Sequence, residues 1–189
     1  MNEMDWYSLV KFLHIVSAVV WVGGGFALML LALRGERANN IDVMLQSMRA
    51  TGELGNRLFA PMSMLTFVFG FVMCWFWVGF SDLWVIIGLA GYLVTFTVGM
   101  TVFKPTADRM AKMIAAEGVT PRVLDLGQHV LRFARLDYSV MLVIVADMVL
   151  KPTGDDVLVL GAMALVLAAG IAMALGLVGS RRLTPAPAV

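Results

Sequence analysis

Five side chains with chemistry to offer sit in or beside apolar runs: His14, Cys74, His129, Asp137 and Asp147. Ionisable groups in such surroundings are costly, and they mark either a function or a paired partner. His14 is the most informative. At 3.6 residues per turn, Ser17, Ala18, Trp21 and Gly25 share its helical face, which Leu28 closes. An imidazole therefore heads a strip of small residues interrupted by one indole. Gly23, Gly24 and Gly25 weaken the helix, so a close approach is expected to compensate for them. Two objects fit the strip. One is a neighbouring helix, with His14 hydrogen-bonded to Asp147 or a carbonyl. The other is a flat cofactor with His14 as axial ligand, a common role of histidine towards haem iron.

The remaining groups sort by depth along the chain. Asp147 precedes Lys151 by four residues, the spacing of a same-face helical ion pair whose lysine snorkels. With Lys11 and His14 these two are expected to form one polar layer near the outer surface. Asp137 has no base within contact spacing on its own helix. It needs Arg57 or Lys104 from elsewhere, or it is a protonated group able to relay protons. His129 reads as an interfacial residue beside Arg132 and Arg135. Met73, Cys74 and Met148 are soft donors at about the depth of His14, and thiolate and thioether ligands select Cu(I). With fifteen methionines in the chain, core packing is the competing reading for that trio.

The elements that position these residues follow from composition. Apolar residues make up 60% of the 189, charged residues 14%, and the mean hydropathy is +0.87. A water-soluble domain of this size carries more charge on its surface. Five segments, near residues 8–33, 57–80, 83–104, 129–151 and 157–179, are long enough to cross about 30 Å of hydrocarbon. Backbone amides in lipid must be satisfied internally, so the segments are helices. The expectation is an all-α, single-domain bundle of five transmembrane helices over residues 1–180, with a disordered tail at 181–189. The leader is more acidic than basic and closes on no small-x-small cleavage site, so the first helix is read as retained.

Twelve basic residues, among them Arg34, Arg57, Lys104, Arg135, Arg181 and Arg182, fall on one side of such a bundle. Lys11 and Lys151 fall on the other. The positive-inside rule then puts the N-terminus outside and the C-terminus in the cytoplasm, as a multi-pass protein of the inner (plasma) membrane. Between the first two crossings, Ile41, Met44, Leu45 and Met48 have the spacing of a short helix along the inner surface. Thr120 and Pro121 form a capping signal for a helix running to Pro152. The row Ala164, Ala168, Ala172 and Gly176 suits close helix packing, within the subunit or in a homodimer.

The pattern of His14, Trp21, Gly23 and Gly24 at the head of the first helix resembles the CopD and HemJ membrane families. It is most similar to a related group of predicted integral membrane proteins whose fourth helix ends like the DMVLKP at residues 147–152. The CopD likeness implies copper handling at the bacterial inner membrane. The HemJ likeness implies haem b bound through the helix-one histidine, here His14. HemJ sequences follow the tryptophan motif with an arginine and a further histidine, whereas this chain reads FALMLLALRGER.

Three functions follow as expectations. The first is a haem-b redox protein exchanging electrons with quinone or a membrane partner, with His14, Ser17, Ala18, Trp21 and Gly25 around the cofactor. The second is a copper transport or tolerance protein using His14, Met73, Cys74 and Met148. The third is a cofactor-free protein in which the outer polar layer locks helices together. No phosphate-cradling glycine loop or HExxH motif is present, and nothing points to nucleic acid.

Overall fold

A computed structural model describes residues 3–38 and 40–176. The predicted tail at 181–189, Arg181 and Arg182, and the end of the fifth segment beyond residue 176 lie outside the described residues. Eight helices follow in order: α1 (Glu3–Ala18), α2 (Gly24–Arg37), α3 (Ile41–Leu54), α4 (Ala60–Met73), α5 (Leu83–Val98), α6 (Lys104–Glu117), α7 (Pro121–Leu150) and α8 (Val157–Ala174). No strand occurs among the described residues.

Several of these helices are continuous through π-helical turns, at Val19–Gly23, Gly55–Phe59, Cys74–Val78 and Gly99–Phe103. Two of the turns lie just ahead of Pro61 and Pro105. A proline ring clashes with the carbonyl four residues earlier, and a wider i→i+5 turn relieves that clash. The third segment, expected to end near residue 104, therefore continues through α6 as one 35-residue rod, Leu83–Glu117. Gly118, at φ 74°, ends it.

Among the described residues, four helical rods are long and apolar enough to cross a membrane: Asp5–Arg37, Arg57–Val78, Leu83–Glu117 and Val157–Ala174. The remaining segment expected to cross, the fourth in order, falls within α7. Its 30 residues exceed the required length, but Arg132, Arg135, Asp137 and Asp147 keep it out of that apolar class. It is the most buried helix of the bundle, packing on α5, α8, α6 and α2. Its boundaries agree with the signals in the sequence. Pro121 starts it, and Lys151, forced out of helical geometry by Pro152, ends it in the left-handed region at φ 47°. The expected side-chain cap is not made: the Thr120 hydroxyl is buried without a partner, and only its carbonyl accepts the amides of Val123 and Leu124.

One cluster of buried apolar side chains joins α2, α3, α6 and α7. Ala32 of α2, Met44 and Leu45 of α3, Met110 of α6, and Val123, Leu124 and Leu131 of α7 are buried together. The short helix expected from Ile41, Met44, Leu45 and Met48 is present as α3, which packs against α2 and α6. Along the spans, large side chains such as Trp75, Phe76, Val149 and Leu158 stay exposed, as a lipid-facing surface requires.

Candidate functional site

The α1–α4 pair holds His14. Its Nδ1 donates to the carbonyl of Thr66 at 2.7 Å. The ring lies against Gly70, where an added Cβ would stand 3.0 Å from Cε1 and 3.2 Å from Nδ1. Glycine here leaves room for the imidazole to reach a carbonyl one turn back on the facing helix. A donating Nδ1 fixes the tautomer and leaves the Nε2 lone pair free, the arrangement in which protein histidines bind metals. Ser17 is buried and turns its hydroxyl to its own helix, bonding the carbonyls of Leu13 at 2.6 Å and His14 at 3.1 Å. Half-buried Ala18 is the last residue before the π turn.

Further along the predicted strip, protein side chains fill the space. Trp21 stands edge-on to buried Tyr92 at 5.8 Å between centroids, and Tyr92 stacks on Phe67 at 4.9 Å. The room at Gly25 is taken by the Tyr138 hydroxyl of α7, and that at Gly24 by the Phe59 ring. A porphyrin along this strip would have to displace Tyr138, so the strip does not fit haem. The first of the two expected objects, a close neighbouring helix, occupies it.

The outer layer expected to join Lys11, His14, Asp147 and Lys151 is divided between two seams. α1 packs on α4, whereas the C-terminal half of α7 packs on α5 and α8. His14 bonds Thr66, not Asp147. Lys11 sits over the Tyr7 ring at 5.2 Å. Lys151 sits over Trp84 at 4.9 Å and leaves Asp147 without the expected ion pair. Asp147 is fully buried, and neither of its carboxylate oxygens has a hydrogen-bond partner. It abuts Gly88 of α5, where a Cβ would lie 3.4 Å from Oδ2 and would also overlap the Met148 methyl.

Asp137 is buried as well, with Oδ1 unpartnered. Arg57 and Lys104, its expected bases, are exposed. The ion pair at this depth is a different one, Arg135 with Glu36 of α2, whose side chains are only 11% and 8% exposed. His129 is exposed and packs its ring on Phe133, 4.8 Å between centroids, in keeping with an interfacial residue.

Of the soft donors, Met73 and Cys74 fall three and four residues beyond Gly70, on the same side of α4, and both are half-buried. The contacts of His14 with Gly70 and of Tyr7 with Trp77 set an antiparallel register that puts Met73 and Cys74 level with Lys11 and Val10, one turn from His14. Met148 belongs instead to the α5–α7 seam. Among the described residues, no group of three or more His, Cys, Asp or Glu side chains is placed to hold a metal ion. On α8, Ala164 and Ala168 are exposed, and Gly170 and Met163 make the close packing instead. Sequence reasoning missed Thr66, Gly70, Glu36, Gly88 and Tyr138. A lone glycine inside the aromatic run FVFGFV was the available signal for Gly70.

Rods this long and apolar define a helical integral membrane protein. The chain belongs to the family described as predicted integral membrane protein (DUF2269), whose model matches residues 8–152. That match carries no link to the CopD or HemJ families. No curated protein and no solved structure matches the chain.

Proposed function

We propose that this is a five-crossing inner-membrane protein, with its N-terminus outside, that binds a soft metal ion at the outer end of the α1–α4 seam. The ligands are His14 through Nε2, with Cys74 and Met73 one turn outward. A single observation carries this reading: the Thr66 carbonyl holds Nδ1 at 2.7 Å and commits the other ring nitrogen to accepting. The donor set of imidazole, thiol and thioether suits Cu(I). An ion needs no cleared face, which favours it over a macrocycle on the filled strip. Taking α7 as a crossing puts Lys11 and Lys151 on one side and the clustered basic residues on the other, as the positive-inside rule requires.

The test is Cu(I) binding to the purified full chain in mild detergent, by competition with a chromophoric chelator. One ion per chain is expected, with binding lost in His14→Ala and Cys74→Ser. Gly70→Ala crowds the ring and strains its bond to the Thr66 carbonyl, and loss of such an orienting bond weakens metal binding by about 10–100-fold. A preparation showing a Soret band, or Cu(I) binding indifferent to all three variants, refutes the reading.

A further inference from the structure

Asp147 sits on the α7 face that packs against Gly88 of α5. It has no exposed surface, and both carboxylate oxygens lack a donor. The helices around it offer no compensating charge. Along α5 (Leu83–Val98) the one titratable side chain is Tyr92, and α8 (Val157–Ala174) has none. α2 and α6 meet α7 at its opposite end, where Glu36 takes Arg135. Lys151, one turn away, is engaged with Trp84.

An ionised carboxylate without counter-charge or donors in such a place is strongly disfavoured, whereas the neutral acid is tolerated. From these surroundings we propose that Asp147 is a proton-binding site, a carboxylic acid enclosed in the α5–α7 seam that exchanges its proton with the outer surface. Asp147 lies four residues from Lys151, about 6 Å along the axis. There the exposed segment at residues 151–156 begins, broken only by buried Pro152. In the other direction Val140 and Ile144 close on Gly91 and separate Asp147 from Asp137. The nearest water is therefore on the outer side. The site is independent of the metal reading, because His14 belongs to the other seam.

Infrared difference spectroscopy of the full chain in detergent tests this. At neutral pH the wild type is expected to show the carbonyl stretch of a protonated carboxyl. The band is lost in Asp147→Asn, shifted in Asp147→Glu, unchanged in His14→Ala, and bleached as the pH is raised. If neither Asp147 variant folds, N,N′-dicyclohexylcarbodiimide, which seeks protonated acids in apolar surroundings, is applied to the wild type and mapped by peptide mass. An adduct on Asp147 is then expected, while a water-soluble carbodiimide modifies exposed acids such as Asp155 and Asp156 and spares Asp147. Absence of the band, its removal by sodium at constant neutral pH, or modification of Asp147 by the water-soluble reagent overturns the proposal. So does failure of the apolar reagent to mark Asp147 where it is the deciding measurement.

Discussion

Gly25→Ala tests whether the cleared face of the first rod is a vacancy or a fitted joint. In the structure the Tyr138 hydroxyl occupies the place of the missing Cβ, and its Cζ would lie 3.3 Å from that atom. Two effects oppose each other. Replacing a mid-helix glycine by alanine stabilises a helix by roughly 0.5–1 kcal/mol. Forcing an extra methyl group into a packed joint costs about 1–3 kcal/mol. The overlap here is with a ring anchored on a neighbouring rod, so the second effect wins by about 1–2 kcal/mol. For a chain of this size that is a fall in Tm of about 2–4 °C per kcal/mol. Tyr138→Phe removes the obstructing oxygen and leaves only the 3.3 Å contact with the ring carbon, which a small tilt relieves. In the double variant the alanine is then neutral or stabilising, giving a coupling of about 1–2 kcal/mol, within the range for residues in contact. The assay is unfolding of the detergent-solubilised protein followed by tryptophan fluorescence. If Gly25→Ala is as stable as wild type in both backgrounds, Tyr138 does not fill that space and a flat ligand has room there.

The buried pair of Arg135 and Glu36 predicts an asymmetry in the same assay. Glu36→Ala strands a buried guanidinium and costs about 3–5 kcal/mol, whereas Glu36→Leu combined with Arg135→Met costs much less. Equal losses in the single and double variants contradict the pairing. In the loop before α8, Thr153 donates from both its amide and its hydroxyl to Asp156 Oδ2, each at 2.8 Å. Those bonds hold the Asp156 carboxyl below its ordinary range. A depressed folded value contributes stability above the unfolded carboxyl value, and that stability is lost as the pH falls through the folded one. Asp156→Ala is therefore less stable than wild type at neutral pH, and the two unfolding curves converge in acid. A difference that persists unchanged in acid rules out the carboxylate bonds as its source.

The rods were legible in the sequence because membrane thickness and backbone satisfaction leave few alternatives, and apolar length reads directly as a crossing. The continuation of α5 into α6 was not legible. Lys104 and Pro105 look like a stop in one dimension, and only the π turn at Gly99–Phe103 carries the helix past them. Thr120 and Pro121 marked the start of α7, although the hydroxyl of Thr120 plays no capping part. At the candidate site, His14 was visible as an ionisable ring out of place, and depth along the rods put Met73 and Cys74 near its level. The partner of the ring was not visible, because depth says nothing about which rods are adjacent. His14 and Asp147 are therefore divided between two seams although their depths along the chain are alike.

The glycines of the rods explain why a small strip was so easily read as a cradle. In lipid, apolar side chains gain little by leaving the solvent, so helices associate through close packing and interhelical hydrogen bonds. A glycine on one rod is then the natural seat for a polar or bulky side chain of the next. Gly70 seats the His14 ring, Gly25 the Tyr138 hydroxyl, and Gly88 the Met148 methyl beside the Asp147 carboxyl. A glycine in such a span thus points first to a neighbour's side chain. The chemical question passes to whether that side chain is satisfied once seated. Tyr138 closes a joint between rods. His14 is satisfied at one nitrogen and free at the other, which is the condition of a ligand. Asp147 is satisfied at neither oxygen, which is the condition of a group that must take up a proton. The metal and proton readings rest on His14 and Asp147, which lie in different seams, so each can be removed without disturbing the other.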